Sequence, residues 1–323
     1  VNGLNHLTYI NSLTFNADNL GSLSGLQNLR LAEELLFQTP TKSEWSFTGL
    51  KKYGVQFGFN KVSWAWSYSA NLAYNSRLYP NLTYVYGTLR LQRKDDLTGS
   101  KLIEICRLQI INSDLENLVA LEETNLTCPF GYPSEIRIDN NRKLVDISSL
   151  ENMTIINSNS LARLSLDNNP LLTSIHGPND LLESIYSLSF INSPISNFYG
   201  FESLRSIQGL SLGSGSVIAQ DVFPSVSKIG GLSLSGDAKF IGFPNLKNLG
   251  RLDVSTEASA DLSGLASLEH IGRFSLSGTE LSTIDFLPNI NSVGKIIISG
   301  NDFLTNLGDL SDVSYGVTSG FES

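Results

Sequence analysis

The chain has little of the chemistry from which catalytic and metal centres are built. It has only two cysteines and three histidines among 323 residues, and charged residues make up 16% of the composition, against about a quarter in an average domain. His6, His176 and His270 are far apart, and no metalloprotease, hydrolase or phosphate-loop motif occurs in a supporting context. We therefore expect no enzyme, no cofactor and no metal site.

Positive charge and long apolar runs are also scarce. The chain has 22 basic and 31 acidic residues, a net charge of −9, which argues against nucleic acid or an anionic membrane as the partner. No apolar stretch approaches the roughly 18 residues of a membrane span. The chain opens at Val1 without a basic leader, and residues 314–323 are polar. We expect a mature or trimmed extracellular or cell-surface fragment that ends in a linker or tail.

An aliphatic repeat dominates the sequence that remains. Each copy has a leading aliphatic residue, a second one three positions on, and then L-x-L followed by a turn of Ser, Gly or Asn. The clearest copies begin at Leu204, Val226, Leu246, Leu268 and Ile290. About thirteen copies, mostly spaced by roughly 20 to 24 residues, predict one leucine-rich-repeat solenoid over residues 1–313.

The pattern within each copy predicts strands. The two leucines of L-x-L point to one face of a strand, and stacked copies bury them together. Glycine and β-branched residues, without a sustained helical period, favour a mainly β fold, with short helical turns possible, for example over 115–121. The strands end at residues that tolerate positive φ: Asn112, Asn140, Asn168, Asn192, Gly236, Gly278 and Gly300.

Two copies carry a family resemblance. Val226 leads into I-G-G-L-S-L-S-G at 229–236, and Leu268 leads into I-G-R-F-S-L-S-G at 271–278. This unit resembles the receptor L-domain-like leucine-rich repeats of receptor ectodomains, fungal cell-wall glycoproteins and bacterial surface proteins. The resemblance implies a right-handed β-solenoid with an extracellular, non-catalytic recognition role. It does not identify the partner.

The first candidate site is an aromatic insert at about 41–81, which breaks the repeat. It contains Trp45, and Trp64, Trp66 and Tyr68 alternate so that they would share one strand face. Exposed aromatic rings are good anchors for proteins and good stacking surfaces for sugars. The alternative is that the insert folds over the solenoid and the rings fill that contact.

The second candidate is the outward face of the predicted sheet. The middle residues of L-x-L would form a flat, weakly charged surface, on which a solenoid can bind along its length; otherwise they are simply solvated. Some solenoid enzymes use clustered carboxylates here, but this face has one acid. The residues are Gln109, Arg137, Ser165, Ser189, Ser211, Ser233, Asp253, Ser275 and Ile297.

Cross-linking and modification sites come third. Cys106 and Cys128 are 22 residues apart, close to one repeat, which suits a disulfide between adjacent coils, or else two buried thiols. Loop inserts are expected at about 111–135 and 139–160. They carry the glycosylation sequons of Asn125 and Asn152, and a third sequon begins at Asn81; chance alone could give three matches.

The sequence as a whole favours a non-catalytic recognition or adhesion module for a protein or glycan. One alternative is a self-assembling cell-wall or filament component, because the edge strands of an end coil can pair with another molecule. The other is a carbohydrate-binding module that uses Trp64 and Trp66.

Overall fold

A computed structural model shows a mainly β protein, wound as a β-solenoid of about ten turns. The predicted mainly β solenoid is therefore confirmed. The residues that the structure describes are 4–15, 22–37, 48–53, 71–73, 79–93, 97–128, 134–156, 160–178, 182–219, 222–243, 246–308, 310 and 313. No helix in these ranges is long and apolar enough to cross a membrane.

Strands and short 3-10 helices alternate along the described ranges. The strands are β1 (Tyr9–Phe15), β2 (Leu31–Phe37), β3 (Lys52–Tyr53), β4 (Asn71–Ala73), β5 (Tyr84–Arg93), β6 (Glu104–Ser113), β7 (Asn125–Thr127), β8 (Ser134–Asp139), β9 (Ile155–Ile156), β10 (Ser160–Ser165), β11 (Ser174–His176), β12 (Ser184–Phe190), β13 (Asn197–Tyr199), β14 (Ser206–Leu212), β15 (Val217–Ile218), β16 (Lys228–Gly236), β17 (Lys239–Phe240), β18 (Asn248–Thr256), β19 (His270–Ser277) and β20 (Ser292–Ser299). The 3-10 helices are Ser24–Leu26, Val119–Leu121, Ser148–Asn152 and Ser263–Leu265.

One parallel sheet runs the length of the solenoid. Its strands follow the order β1-β2-β3-β5-β6-β8-β10-β12-β14-β16-β18-β19-β20, with β4, β7 and β9 attached beside this path. Two short sheets, β11-β13 and β15-β17, lie elsewhere on the windings. Each strand of the main path pairs with the equivalent strand of a neighbouring winding, so the pairing is parallel.

The register stacks each repeat position on its counterpart. Leu188 is opposite Leu210, and Phe190 is opposite Leu212, on the neighbouring strands β12 and β14. All four side chains are buried, as are the equivalent residues in most other windings. The core is therefore a continuous column of aliphatic and aromatic side chains, which no single winding could bury alone.

The predicted corners are confirmed. All seven positions have φ between 54° and 62°: Asn112, Asn140, Asn168, Asn192, Gly236, Gly278 and Gly300. This left-handed conformation is open to Gly and tolerated by Asn, and it turns the chain sharply at the end of each strand.

Buried amides one residue past these corners join neighbouring windings. Asn141 Nδ2 donates to the carbonyl oxygen of Ile110 at 3.0 Å, and Asn169 Nδ2 donates to that of Ile138 at 2.6 Å. Asn169 Oδ1 in turn accepts the backbone N–H of Asn141 at 3.0 Å. A buried N–H or carbonyl group without a hydrogen-bond partner destabilises the fold. The asparagine side chains supply such partners where the backbone of the turns does not.

A column of glycines lets the windings approach closely. A Cβ atom on Gly272 would lie 2.6 Å from the carbonyl oxygen of Gly250, and one on Gly294 would lie 2.6 Å from that of Gly272. Such contacts are too short for any side chain, so Gly272 and Gly294 are required for the packing of these last windings, although earlier windings carry a larger residue at this position, as Tyr186 shows.

The inserts depart from expectation where they are described. Within 41–81, the strands β3 and β4 both pair with β5. Within 111–135, Asn125–Thr127 does not loop out, because β7 pairs with β6 and β9 and buries Leu126 in the core. Trp45, Trp64, Trp66 and Tyr68 lie outside the described residues.

Candidate functional site

Two rows of side chains leave the main sheet on its outward face. The second outward row is the predicted one, and its members from Gln109 to Ile297 pair in register along the sheet. The first outward row lies directly before L-x-L. It consists of Arg107, Glu135, Arg163, Ser187, Gly209, Gly231, Arg251, Arg273 and Lys295.

The sequence interpretation missed the first outward row. In each winding the two residues between the second aliphatic position and L-x-L are not needed for the core, as Tyr186 and Ser187 show between the buried Ile185 and Leu188. That gap was the available signal, since a position that no core contact restricts is free to carry a ligand-binding side chain.

The windings around Asp139 and Asp167 form a paired-charge region. Ser165 Oγ donates to Asp139 Oδ1 at 2.7 Å, and Ser189 Oγ donates to Asp167 Oδ1 at 2.7 Å. The backbone N–H of Asp167 donates to Asp139 Oδ1 at 3.1 Å. Arg137 forms an ion pair with Asp139 through Nε. The predicted site residues Ser165 and Ser189 are thus engaged within the protein.

Burial explains this dense pairing. Only 4% of the Asp139 side chain is exposed, and an ionised carboxylate at that depth must be compensated by donors and opposite charge. The hydrogen bond to Asp139 raises the pKa of Arg137 above its ordinary value, partly opposed by desolvation. The paired-charge region is therefore a device that joins windings.

A Ser/Gly strip follows along the sheet. It consists of the two outward rows of β12, β14 and β16: Ser187, Ser189, Gly209, Ser211, Gly231 and Ser233. Tyr186, 71% exposed, stands at one end of the strip. The rest of the strip carries only small side chains, as predicted for Ser211 and Ser233. It offers hydroxyl and backbone groups rather than charge.

A basic ladder occupies the last windings. It consists of Arg251, Arg273 and Lys295, which are register neighbours on β18, β19 and β20. The predicted residue Asp253 is next to it and pairs with Arg251 Nε. Ser275, also predicted, lies beside Asp253 on the neighbouring strand.

The other two cations of the basic ladder lack such a partner. Within the described part of the chain, neither Arg273 nor Lys295 forms an ion pair, and Arg273 Nε is buried with no hydrogen-bond acceptor. The predicted second outward row therefore borders a charged surface. The cations of that surface belong to the first outward row, which was not predicted.

A second polar cluster lies on a different face. His176 Nδ1 is 3.0 Å from Glu151 Oε2, and its ring stacks on that of Tyr199 with centroids 4.7 Å apart.

A shallow groove of about 510 Å³ contains Lys247 and Glu269, whose Nζ and Oε1 atoms are 2.6 Å apart. Over the described ranges, no group of three His, Cys, Asp or Glu residues is arranged to hold a metal ion.

Cys106 and Cys128 form a disulfide, with Cα atoms 4.3 Å apart and both side chains buried. It links β6 to the end of β7 and so joins adjacent windings.

The three sequon asparagines differ in accessibility. Asn81 Nδ2 donates to the carbonyl oxygen of Thr48 and its Oδ1 accepts from Lys101, so its amide is held on both sides. Asn125 Oδ1 accepts the N–H of Thr154. Asn152 is exposed and its Nδ2 donates to the Glu122 carboxylate at 3.2 Å. Asn152 is therefore the most favourable acceptor of the three.

Comparisons with known proteins give no family and no relative for this chain. No protein-family model matches it, and no curated protein matches it in sequence.

Proposed function

We propose that this chain is a non-catalytic recognition or adhesion module of an extracellular or cell-surface protein, and that its outward sheet face binds a protein or glycan. The observation that carries the proposal is the pair of register-matched outward rows from β6 to β20. A repeat that places two outward positions on each winding along these strands makes an extended binding surface. The buried disulfide between Cys106 and Cys128 supports an oxidising, extracellular compartment.

The resemblance to receptor L-domain-like leucine-rich repeats supports the same role. With it we propose a right-handed winding and about thirteen coils over residues 1–313, including windings through residues outside the described ranges. The column of glycines gives the I-G unit of that resemblance a packing reason in this chain.

The test is to screen the purified protein against glycan and cell-surface protein arrays, together with a variant whose Ser/Gly strip is blocked. Ser211→Gln/Ser233→Gln places two long uncharged side chains on the strip, and we expect it to abolish the binding seen with the unaltered protein. Ser196→Gln, on an exposed residue outside the main sheet, is the control and should bind normally. Unchanged binding by the blocked variant would exclude the outward face.

Self-assembly is a second candidate because β20 pairs only with β19 within the described ranges. Ile298 on β20 is 38% exposed, although its register neighbour Leu276 is buried, and Phe303 beyond it is 61% exposed. An apolar strand edge of this kind can pair with another copy. Light scattering over a wide concentration range tests this, since a constant monomer mass would exclude self-assembly.

The carbohydrate-binding alternative rests on Trp64 and Trp66 alone, and the variant W64A/W66A tests it by loss of sugar binding.

A further inference from the structure

We propose that the basic ladder of Arg251, Arg273 and Lys295 binds a linear polysaccharide that carries carboxylate groups on its sugar rings. This inference rests on the proposed recognition function and specifies its ligand class. In the bound state, carboxylates of the polysaccharide would neutralise Arg273 and Lys295, the two cations of the ladder that form no ion pair within the described residues.

The arrangement of charge favours an anionic ligand. The three cations lie on adjacent strands, about 4.8 Å apart, where like charges repel one another. The chain has a net charge of −9, yet among the described residues only Asp253 is paired with a member of the ladder. An anion that lies along β18, β19 and β20 would relieve this repulsion.

Arg273, in the middle of the ladder, gives the second observation. Arg137 and Arg251 each pair with an aspartate two residues later, whereas the residue two positions after Arg273 is Ser275. Its Nε is shielded from solvent and has no acceptor, which is unfavourable for a charged donor. A ligand carboxylate at the guanidinium would supply the missing anion, and guanidinium binds carboxylate in a two-point geometry.

The groups beside the ladder favour a polysaccharide over an acidic peptide. Ser233 and Ser275 place hydroxyl groups in the outward row next to the cations. A chain of sugar acids carries hydroxyl groups as well as a carboxylate on its rings and can therefore contact both rows, whereas an acidic side chain offers a carboxylate alone. Next to Arg251, the low side chains of Gly231 and Ser233 leave room for such a chain to continue along the sheet.

The experiment compares polygalacturonate with its fully methyl-esterified form, which has the same backbone without the charge. We expect the protein to bind polygalacturonate, to bind it less as salt is raised, and not to bind the ester. Arg273→Gln/Lys295→Gln should weaken binding by about tenfold, equivalent to roughly 1.4 kcal/mol. The control Lys143→Gln/Arg163→Gln removes two exposed cations elsewhere and should change affinity by less than about twofold.

Each contrary result is informative. No saturable binding to polygalacturonate, equal binding to the ester, or full binding by the Arg273 and Lys295 variant would overturn the inference. Stronger binding of polyglutamate through the same two residues would replace the polysaccharide with an acidic polypeptide. If an array ligand is lost from Ser211→Gln/Ser233→Gln but retained by Arg273→Gln/Lys295→Gln, the recognition function stands and the ligand class proposed here is wrong.

Discussion

The paired-charge region and the basic ladder occupy the same outward face but treat charge in opposite ways. Around Asp139 and Asp167, the carboxylates accept hydrogen bonds from neighbouring windings and one pairs with Arg137. In the basic ladder, Arg273 and Lys295 have no ion-pair partner within the described ranges. The charges of the first region join neighbouring windings. The unpaired charges of the second region are available to a ligand.

Depth accounts for the difference. The Asp139 side chain is nearly inaccessible, whereas that of Asp253 is 29% exposed and its partner Arg251 is 56% exposed. A buried carboxylate needs several donors, but water solvates an exposed one. The same Arg-x-Asp pattern is therefore structural in one region and weakly stabilising in the other.

The largest expected effect comes from removing each aspartate in turn. Asp139→Ala removes the acceptor of the Asp167 N–H and of Arg137, and leaves Ser165 Oγ with only its longer contact to Asp167 Oδ2. We expect it to lower the free energy of unfolding by about 3 kcal/mol. Asp253→Ala should cost less than about 1 kcal/mol. Urea denaturation of both variants measures the difference, and similar midpoints would show that the two regions do not differ as described.

The disulfide joins windings next to the paired-charge region, since Cys106 is on β6 and Asp139 ends the neighbouring strand β8. Cys106→Ser/Cys128→Ser opens a cross-link that closes 22 residues, and the chain-entropy estimate for a loop of this length is about 3 kcal/mol. We expect the midpoint of chemical denaturation to fall accordingly, with the basic ladder unaffected. A variant that loses stability and also loses polygalacturonate binding in its folded state would show that the two regions are coupled.

Ser275→Asp makes the basic ladder resemble the paired-charge region. The new carboxylate would stand two residues after Arg273, as Asp253 does after Arg251, and would compete with the ligand for the guanidinium. We expect polygalacturonate affinity to fall about fivefold, equivalent to roughly 1 kcal/mol, with little change in stability. Ser275→Asn, which is similar in shape but uncharged, is the control, and equal losses in both variants would indicate a steric effect.

The fold was predictable because the repeat fixes both the strand and its partner. Each aliphatic position stacks on the same position of the next winding, so one winding determines the rest, and Asn140 and Gly236 marked their corners because few residues adopt positive φ. The buried ladder of Asn141 and Asn169 was missed. A single sequence shows that asparagines recur but not which of two adjacent ones points inward.

The site was only partly predictable. Alternation in L-x-L identified Asp253 and Ser275, and the same two-residue period, continued one step back, places Arg251 and Arg273 on that face, although the interpretation stopped at L-x-L. The sequence also did not show which outward side chains form hydrogen bonds within the protein. Ser165 and Ser233 occupy the same position of the repeat, but of the two only Ser165 donates to the buried Asp139 carboxylate. The sequence pattern predicts the face on which a side chain lies. Whether that side chain is free to bind a ligand depends on how deeply the neighbouring charged groups are buried.

The smallest expected effect separates an ordinary surface pair from the basic ladder. Lys247 and Glu269 lie just before β18 and β19, close to Arg251 and Arg273 in sequence, but Lys247 has its own carboxylate. The hydrogen bond from Lys247, then its charge, lowers the pKa of Glu269 below the ordinary value for glutamate. The pair therefore stabilises the fold above the ordinary glutamate pKa, and this contribution is lost as the pH falls through the lowered pKa.

Lys247→Gln should raise the pKa of Glu269 back toward its ordinary value, which an NMR titration of the Glu269 carboxyl carbon measures directly. Lys239→Gln removes a similarly exposed cation that is distant from Glu269 in the chain and should leave that pKa unchanged. High salt should reduce the difference in the pKa of Glu269 between wild type and Lys247→Gln, because both side chains are at the surface.

Polygalacturonate binding should persist in Lys247→Gln, since a cation that already has a carboxylate partner contributes little to the binding of a ligand. If binding fell as much as in Arg273→Gln/Lys295→Gln, total positive charge rather than the unpaired ladder would determine recognition.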